Sequence, residues 1–593
     1  MTDTRYLKSI RYASFLKILG GSDHAVMVLI AILVGVLSGY GAIVFRYMIR
    51  LVQWLFFGSG GATFLETVSA APLYVKILAP ALGGLIIGPI IFFIAREARG
   101  PGVTETMEAV ALRGGRIRKR VSIVKILTSA VCIGSGGSAG REGPIVQIGA
   151  GIGSMCGQLL HVSTDRLRTL VACGAAGGIA ATFNAPIAGV MFAMEIILGN
   201  YGISSFSPIV VSSVVATAVS RAHLGNYPAL AVAKYNLVAS WELAPYMVLG
   251  VFCGAVAVLF TVVLHKTEDA FSKLKMPDYL KPAVGGLLVG LIGIVFPEVF
   301  GVGYDVMDMA VWERLPWFSL FGLVFLKIAA TSFTIGSGGA GGVVVPSLYI
   351  GAMAGGFFGW AVHGLFPGAA TSGAYSLVGM GALLAGTSHG PMHAILLLFE
   401  LTGNYQIILP LMLSCFLSYI VASEIRKGSI FTLPLLKKGI DLQAGREANI
   451  MRYLKVRDAM ARNVETIPQS LNLREFLKRA MASKHTNFPV VDDEGRLAGI
   501  VDFQDFKDLI YEEALGDLIV VRDIVTEKVL TVTEDESLET VLERIGFRNI
   551  EQLPVVDRDD PGRIVGVISR HDIFSAYNKT LVKRSLGDEI RRV

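Results

Sequence analysis

The chain has 593 residues, of which 53% are apolar and 17% charged, with 67 glycines and a formal net charge of +6. It is too long for one ordinary domain and too apolar for a soluble one, which indicates a polytopic membrane protein with a soluble appendage. The weak basic excess sits beside apolar segments, from Arg5 to Lys17 and from Arg113 to Arg120; this reads as the positive bias of cytoplasmic loops and excludes nucleic acid as a partner.

In chain order, residues 1–23 are basic, interrupted by charge and without a small-residue cleavage site, so a cytoplasmic amphipathic segment is expected. A membrane domain is expected over 24–440. Its apolar segments fall at 26–57, 75–95, 121–133, 167–180, 186–198, 206–222, 244–264, 284–296, 317–333, 346–366, 374–385, 391–401 and 407–425. Several are shorter than the roughly 20 residues that span hydrocarbon, and Gly or Pro interrupts many. Broken helices are tolerated there only where the freed backbone groups line a protected cavity, which points to a conduction or transport core. The five cysteines, Cys132, Cys156, Cys173, Cys253 and Cys415, lie singly in apolar runs and read as small packing residues. A linker is expected at 441–455, two soluble repeats at 456–517 and 518–580, and a tail at 581–593.

The membrane part is internally duplicated. Residues 133–153 read IGSGGSAGREGPIVQIGAGIG and, 202 residues later, 335–355 read IGSGGAGGVVVPSLYIGAMAG, identical at 11 of 21 positions without a gap. PIAGVMFAME at 186–195 and PMHAILLLFE at 391–400 share a Pro followed nine residues later by a Glu, and GNY recurs after each. These residues leave open whether the halves run parallel or inverted. One position breaks the first match: Glu142 faces Val344. An intramembrane carboxylate is costly and marks function. The glycines around it free the backbone to expose N–H groups, and Pro144 suits the first turn of a following helix. Helix N-termini in a low dielectric bind anions without a cationic side chain. A carboxylate there competes with a diffusible anion for the same donors, and protonation releases the site.

With GREGP at Gly140–Pro144, the chain resembles the CLC family of chloride channels and anion/proton antiporters. The family's GxFxP signature stands here as Gly342-Val343-Val344-Val345-Pro346, and its GSGIP signature, degenerate, as Gly100-Pro101-Gly102-Val103-Thr104. The resemblance spans roughly residues 20–440, with the signatures in family order. It implies an all-α membrane domain of two inverted repeats of broken helices, and a homodimer in the inner membrane with cytoplasmic termini and one anion pathway per subunit. Chloride, or nitrate, is the implied substrate, and no enzymatic activity is expected. Glu142 is then the gate. Gly100, Pro101, Gly102, Gly140, Arg141, Gly342, Val343, Val344 and Phe431 line the anion path, with the N–H groups of Val343 and Val344 facing the central anion.

Three departures bear on mechanism. Pro101 replaces the family's Ser and Phe431 its Tyr, so neither side chain offers a hydroxyl. Each missing bond to a charged group weakens binding by about 1.5–3 kcal/mol unless water replaces it. Loose chloride binding is expected, and Pro at this position resembles members that favour nitrate. Ile196 stands where many antiporters carry an internal proton-relaying Glu. Passive conduction is therefore the leading expectation, with antiport as the alternative; Glu195 is either a substitute proton carrier or, with Glu400, one of two structural carboxylates at equivalent helix ends. A divalent-cation transporter needs intramembrane acidic clusters, whereas single carboxylates amid glycine turns suit anions.

The tail repeats Val-Arg-Asp (456–458, 521–523), Pro-Val-Val (489–491, 554–556) and a Gly-initiated apolar strand (499–501, 566–568), and resembles a cytoplasmic α/β pair of tandem CBS domains. Such pairs often hold an adenine nucleotide (ATP, ADP or AMP). Gly566-Val567-Ile568-Ser569-Arg570-His571-Asp572 matches the binding pattern, with Ser569 for a phosphate and Asp572 for the ribose. In the first repeat Asp505 matches, but Asp502 stands where the hydroxyl belongs, so at most one competent site is expected; a dimerisation and gating-support role is the alternative. His389 and His393 lack a third ligand, so no metal site is expected, and Ser135 lacks the partners of a nucleophile and is expected to pack or bond to the backbone.

Overall fold

The computed structural model describes residues 23–58, 61, 63–226, 240–438, 440, 451, 454–483, 485–507, 517–526, 529–548 and 551–586. The expected amphipathic segment before residue 23, nearly all of the linker and the tail beyond residue 586 lie outside them. The chain divides into two compact units, Met1–Leu436 and Lys437–Val593.

The first unit is all helical among the described residues. Its first half contains α1 (Asp23–Phe57), α2 (Phe64–Ala70), α3 (Leu73–Phe93), α4 (Val103–Leu112), α5 (Lys119–Gly134), α6 (Glu142–Leu160), α7 (Thr164–Phe183), α8 (Pro186–Met191, continued by a π-helical turn Phe192–Leu198) and α9 (Ile203–Leu224). The second half contains α10 (Leu243–Lys273), α11 (Lys281–Val295), α12 (Tyr304–Val311), α13 (Trp317–Gly336), α14 (Val344–Leu365), α15 (Ser372–Ser388), α16 (Pro391–Thr402) and α17 (Ile408–Ile425). Among the described residues seven helices are long and apolar enough to cross a membrane. Others are shorter and start or stop inside the protein, as the broken apolar segments imply. The short polar-faced helices α2, α4 and α12 have no counterpart among the expected apolar segments, because their length and composition fall below that signal.

The two halves are related by an internal two-fold that the contacts themselves record. Gly140 and Gly342, equivalent in the repeat, pair antiparallel with each other: Gly140 N–H donates to Gly342 O at 2.8 Å and Gly342 N–H to Gly140 O at 2.7 Å. A residue pairs with its own equivalent in this way only beside the axis that relates the two copies. The packing of α3 on α11 repeats the symmetry. A Cβ on Gly84 would lie 2.2 Å from Pro282 O, and one on Gly286 2.1 Å from Pro80 O. Only glycine lets the two backbones touch on both sides of the axis.

In the second unit each repeat is a three-stranded sheet with helices. Strands β1 (Ile467–Pro468), β2 (Asn487–Val491) and β3 (Leu497–Asp502) form one sheet; β4 (Val532–Thr533), β5 (Gln552–Val556) and β6 (Ile564–Ser569) form the other, and in both the first pair is parallel and the second antiparallel. Helix α18 (Leu473–Ala482) follows β1, where the Asn472 side chain accepts from Glu475 N–H at 2.8 Å, and it buries Leu473, Phe476 and Ala480, one helical face.

The leading segment of each repeat is exchanged. Val456 N–H donates to Glu536 O at 3.0 Å in the second repeat, and Val521 N–H to Leu471 O at 2.9 Å in the first. Ala461 pairs with Val567 and Thr526 with Ile500 in the same reciprocal manner. Leu454, Val456 and Met460 are thus core residues of the second repeat with Val532, Leu538 and Val555, while Val521 completes the first with Phe476, Phe488 and Val501.

Candidate functional site

Three helices begin at one buried point. Helix α4 starts after Gly102, α6 after Arg141 and α14 after Val343, and none of these starts carries a side-chain cap. Their first-turn N–H groups have no intrahelical acceptor, and the positive end of each helix dipole points to the same place. The starts meet at contact distance: a Cβ on Gly143 would lie 2.1 Å from Pro101 O and 2.9 Å from Gly342 Cα. Gly100 pairs with Ala340, its N–H donating to Gly339 O at 3.2 Å. Thr104 Oγ1 donates to Phe431 O at 2.9 Å, which ties the buried Phe431 to the start of α4. The structure therefore brings Gly100, Pro101, Gly102, Gly140, Arg141, Gly342, Val343, Val344 and Phe431 to one locus, although they span 331 positions of sequence.

Glu142 lies at this locus and is fully buried. Its side chain folds back over Gly140, where a Cβ would come within 2.4 Å of Oε2. Oε1 accepts from Tyr304 Oη at 3.1 Å and lies 3.7 Å from Arg141 Nε. Oε2 has no hydrogen-bond partner of normal geometry, although the main-chain N–H groups of Glu142 and Val345 act on the carboxylate. A carboxylate held at three helix starts by one phenol hydrogen bond and a neighbouring guanidinium is in the position an anion would take, and has few bonds to break on leaving. Val344 occupies the equivalent place in the second half and offers no competing charge.

Two buried lysines hold the loops that lead to these starts. Lys125 Nζ donates to Ala98 O at 2.9 Å and Gly100 O at 2.7 Å. Lys327, 202 residues on, donates to Val299 O at 3.0 Å and Gly301 O at 3.1 Å, and also faces the Tyr349 ring at 4.7 Å. Both lysines are fully buried. Sequence reasoning passed over them, although the shared Lys-Ile at 125–126 and 327–328 carries the same 202-residue spacing as the signature. Tyr304 was also passed over; no repeat or motif marks it.

Glu195 and Glu400 lie elsewhere, at the partner helix starts. Glu195 accepts from Met392 N–H at 3.2 Å and His393 N–H at 2.7 Å, on α16. Glu400 accepts from Ile187 N–H at 3.0 Å and Ala188 N–H at 2.7 Å, on α8. Each carboxylate caps the helix that bears the other. Ile196 is buried, its side chain against Gly390. His393 Nδ1 lies 3.0 Å from Ala188 O, and no group of metal-ligating side chains occurs among the described residues. Ser135 Oγ donates to Cys132 O at 3.3 Å.

In the second unit Ser569 and Asp572 bond to each other at the β6 end: Ser569 Oγ donates to Asp572 Oδ2 at 2.6 Å and Ser569 N–H to the same oxygen at 3.0 Å. In the first repeat Asp505 Oδ2 accepts from Asp502 N–H at 2.8 Å, and Asp502 Oδ1 accepts from Gln504 N–H at 2.9 Å. Both are helix-start boxes; the second has a hydroxyl where the first has a carboxylate.

Comparison with known proteins agrees with this geometry. The family profile described as Voltage gated chloride channel matches residues 83–423, and the CBS domain profile matches 456–512 and 521–579. A putative chloride channel protein ClcB-like of Ralstonia nicotianae is 37% identical over 420 residues, 70% of this chain and 98% of its own. Chloride channel protein CLC-f of Arabidopsis thaliana is 29% identical, over 95% of this chain and 81% of its own. Among solved structures, a slow cyanobacterial Cl−/H+ antiporter superposes with a TM-score of 0.63 at 24% identity, covering 70% of this chain and 97% of that one. A eukaryotic CLC transporter gives 0.59 at 20% identity, covering 93% and 99%. The chain is an integral membrane protein of the voltage gated chloride channel (CLC) family, an anion-transport scaffold followed by a tandem CBS pair.

Proposed function

We propose that this protein conducts chloride-type anions passively through one pathway per subunit, with Glu142 as the gate. The observation that carries the reading is the burial of Glu142 where the uncapped starts of α4, α6 and α14 meet, bonded to Tyr304 through a single oxygen. An anion enters that place only when the carboxylate leaves it. Pro101 and Phe431 supply no side-chain donor, so the anion is held by main-chain N–H groups, which favours weak binding and rapid passage and leaves room for nitrate. Passive rather than proton-coupled movement is supported by the position of Glu195, both of whose oxygens serve α16, and by the apolar Ile196 beside it.

The second reading is anion/proton exchange, the activity of two similar solved structures, one a Cl−/H+ and one a fluoride/proton antiporter. Proteoliposomes under opposed chloride and proton gradients separate the two. A reversal potential at the Nernst value for chloride with no proton movement supports conduction; stoichiometric proton movement overturns it. The functional assembly in this reading is a homodimer in the plasma membrane with cytoplasmic termini, and the second CBS repeat holds an adenine nucleotide through Ser569 and Asp572.

A further inference from the structure

The loop before α12 is the second half's counterpart of the Gly100-Pro101-Gly102 loop before α4. Lys125 holds the carbonyls of Ala98 and Gly100, and Lys327 those of Val299 and Gly301. Each loop then passes through a left-handed glycine, Gly102 at φ 86° and Gly303 at φ 91°, into a helix without a side-chain cap. The halves differ in the first helical residue, Val103 in one and Tyr304 in the other. The buried lysine of the second half thus fixes the loop that presents a phenol, and that phenol reaches across the two-fold to the first half's carboxylate: Tyr304 Oη donates to Glu142 Oε1 at 3.1 Å.

The surroundings of Tyr304 fix its direction. The Arg141 guanidinium lies 5.0 Å from the centroid of its ring while Arg141 Nε is 3.7 Å from the oxygen that the phenol holds. Tyr304 also lines a cavity of about 150 Å³ with Arg46, Arg50, Arg141 and Phe300. Tyr304 and Arg141 therefore each touch both this cavity and Glu142. Arg141 is a neighbour at ion-pair distance, whereas the phenol makes the one side-chain hydrogen bond described for the carboxylate.

We infer that Tyr304 is the latch of the gate: its hydroxyl holds Glu142 in the anion position, and release of that bond is part of opening. Tyr304 is a positioning residue, acting on the anion only through Glu142, and the inference rests on the reading of Glu142 as the gate. The mutant cycle of wild type, Tyr304→Phe, Glu142→Ala and the double variant, measured as chloride efflux from proteoliposomes, tests it. Tyr304→Phe keeps the ring against Arg141 and removes only the donor. It should raise efflux about tenfold, the low end of what a hydrogen bond to a charged group is worth. In the Glu142→Ala background the same change should alter efflux less than about twofold, since the latch has nothing left to hold. Efflux of Tyr304→Phe equal to wild type, while Glu142→Ala is faster, overturns the latch and leaves the gate. An equal factor in both backgrounds also overturns it, because the phenol would then act on the pathway itself. Efflux of Glu142→Ala equal to wild type overturns the gate reading and the latch with it. If Tyr304→Phe is not recovered folded, Tyr304→Leu carries the same cycle.

Discussion

Glu195→Ala and Glu400→Ala should destabilise the membrane unit by equal amounts. Each carboxylate accepts two main-chain N–H groups at the start of the helix that bears the other, at 3.2 and 2.7 Å for Glu195 and at 3.0 and 2.7 Å for Glu400. In water-soluble proteins two hydrogen bonds to a charged group would contribute about 3–6 kcal/mol. Within membranes the unfolded reference also finds partners, and individual polar contacts average about 0.6 and reach about 1.7 kcal/mol. Both carboxylates are only half-buried, so the smaller scale governs and each alanine should cost about 1–3 kcal/mol. Glutamine keeps an acceptor and should recover part of that. Thermal unfolding of the purified protein in detergent, followed by size exclusion, gives the stabilities, and chloride efflux from proteoliposomes gives the function. Matched losses of stability with efflux little changed are expected. A Glu195→Ala protein that melts like wild type but moves anions or protons differently would refute the structural role and make Glu195 part of the pathway.

Pro101→Ser restores a hydroxyl at the start of α4 and should raise preference for chloride over nitrate several-fold, within the roughly 1.5–3 kcal/mol of a charge-assisted bond; bi-ionic reversal potentials check it, and an unchanged ratio removes Pro101 from the path. Gly84→Ala and Gly286→Ala each place a methyl about 2 Å from a main-chain oxygen of the facing helix, which cannot turn aside. Both should lower stability by at least about 1–3 kcal/mol, and by similar amounts, in the same unfolding assay. Asp572→Ala should abolish binding of ATP, ADP or AMP in calorimetry on the full-length protein, whereas Asp505→Ala should leave it unchanged; the reverse order would move the site to the first repeat.

The duplicated signature was legible because its glycines and proline are required by backbone geometry at the helix starts, and such requirements leave residues that any copy must keep. Glu142 stood out for the complementary reason, a charge where the copy has none. The buried lysines were hidden because one cation inside an apolar run looks like a misplaced loop residue until its two carbonyl acceptors are known, and those lie 25 and 27 positions away for Lys125. Tyr304 was hidden because its partner is 162 positions away in the other half, where no local period reaches. In the tail, the Val-Arg-Asp repeats marked where each unit begins but not that each beginning is built into the other unit, since exchange leaves hydrophobic patterning unaltered.

That exchange decides where a mechanical load is borne. Among the described residues that lead into the tail, Met451, Leu454 and Val456 already belong to the core of the second repeat, with Leu454 bound to Leu538 and Val456 to Glu536. Tension on the linker therefore bypasses the first repeat, which follows in sequence, and is delivered to the second, whose sheet ends at Ser569, bonded to Asp572 in the next helix. Stiffening that sheet with a ligand would stiffen the anchor of the linker itself.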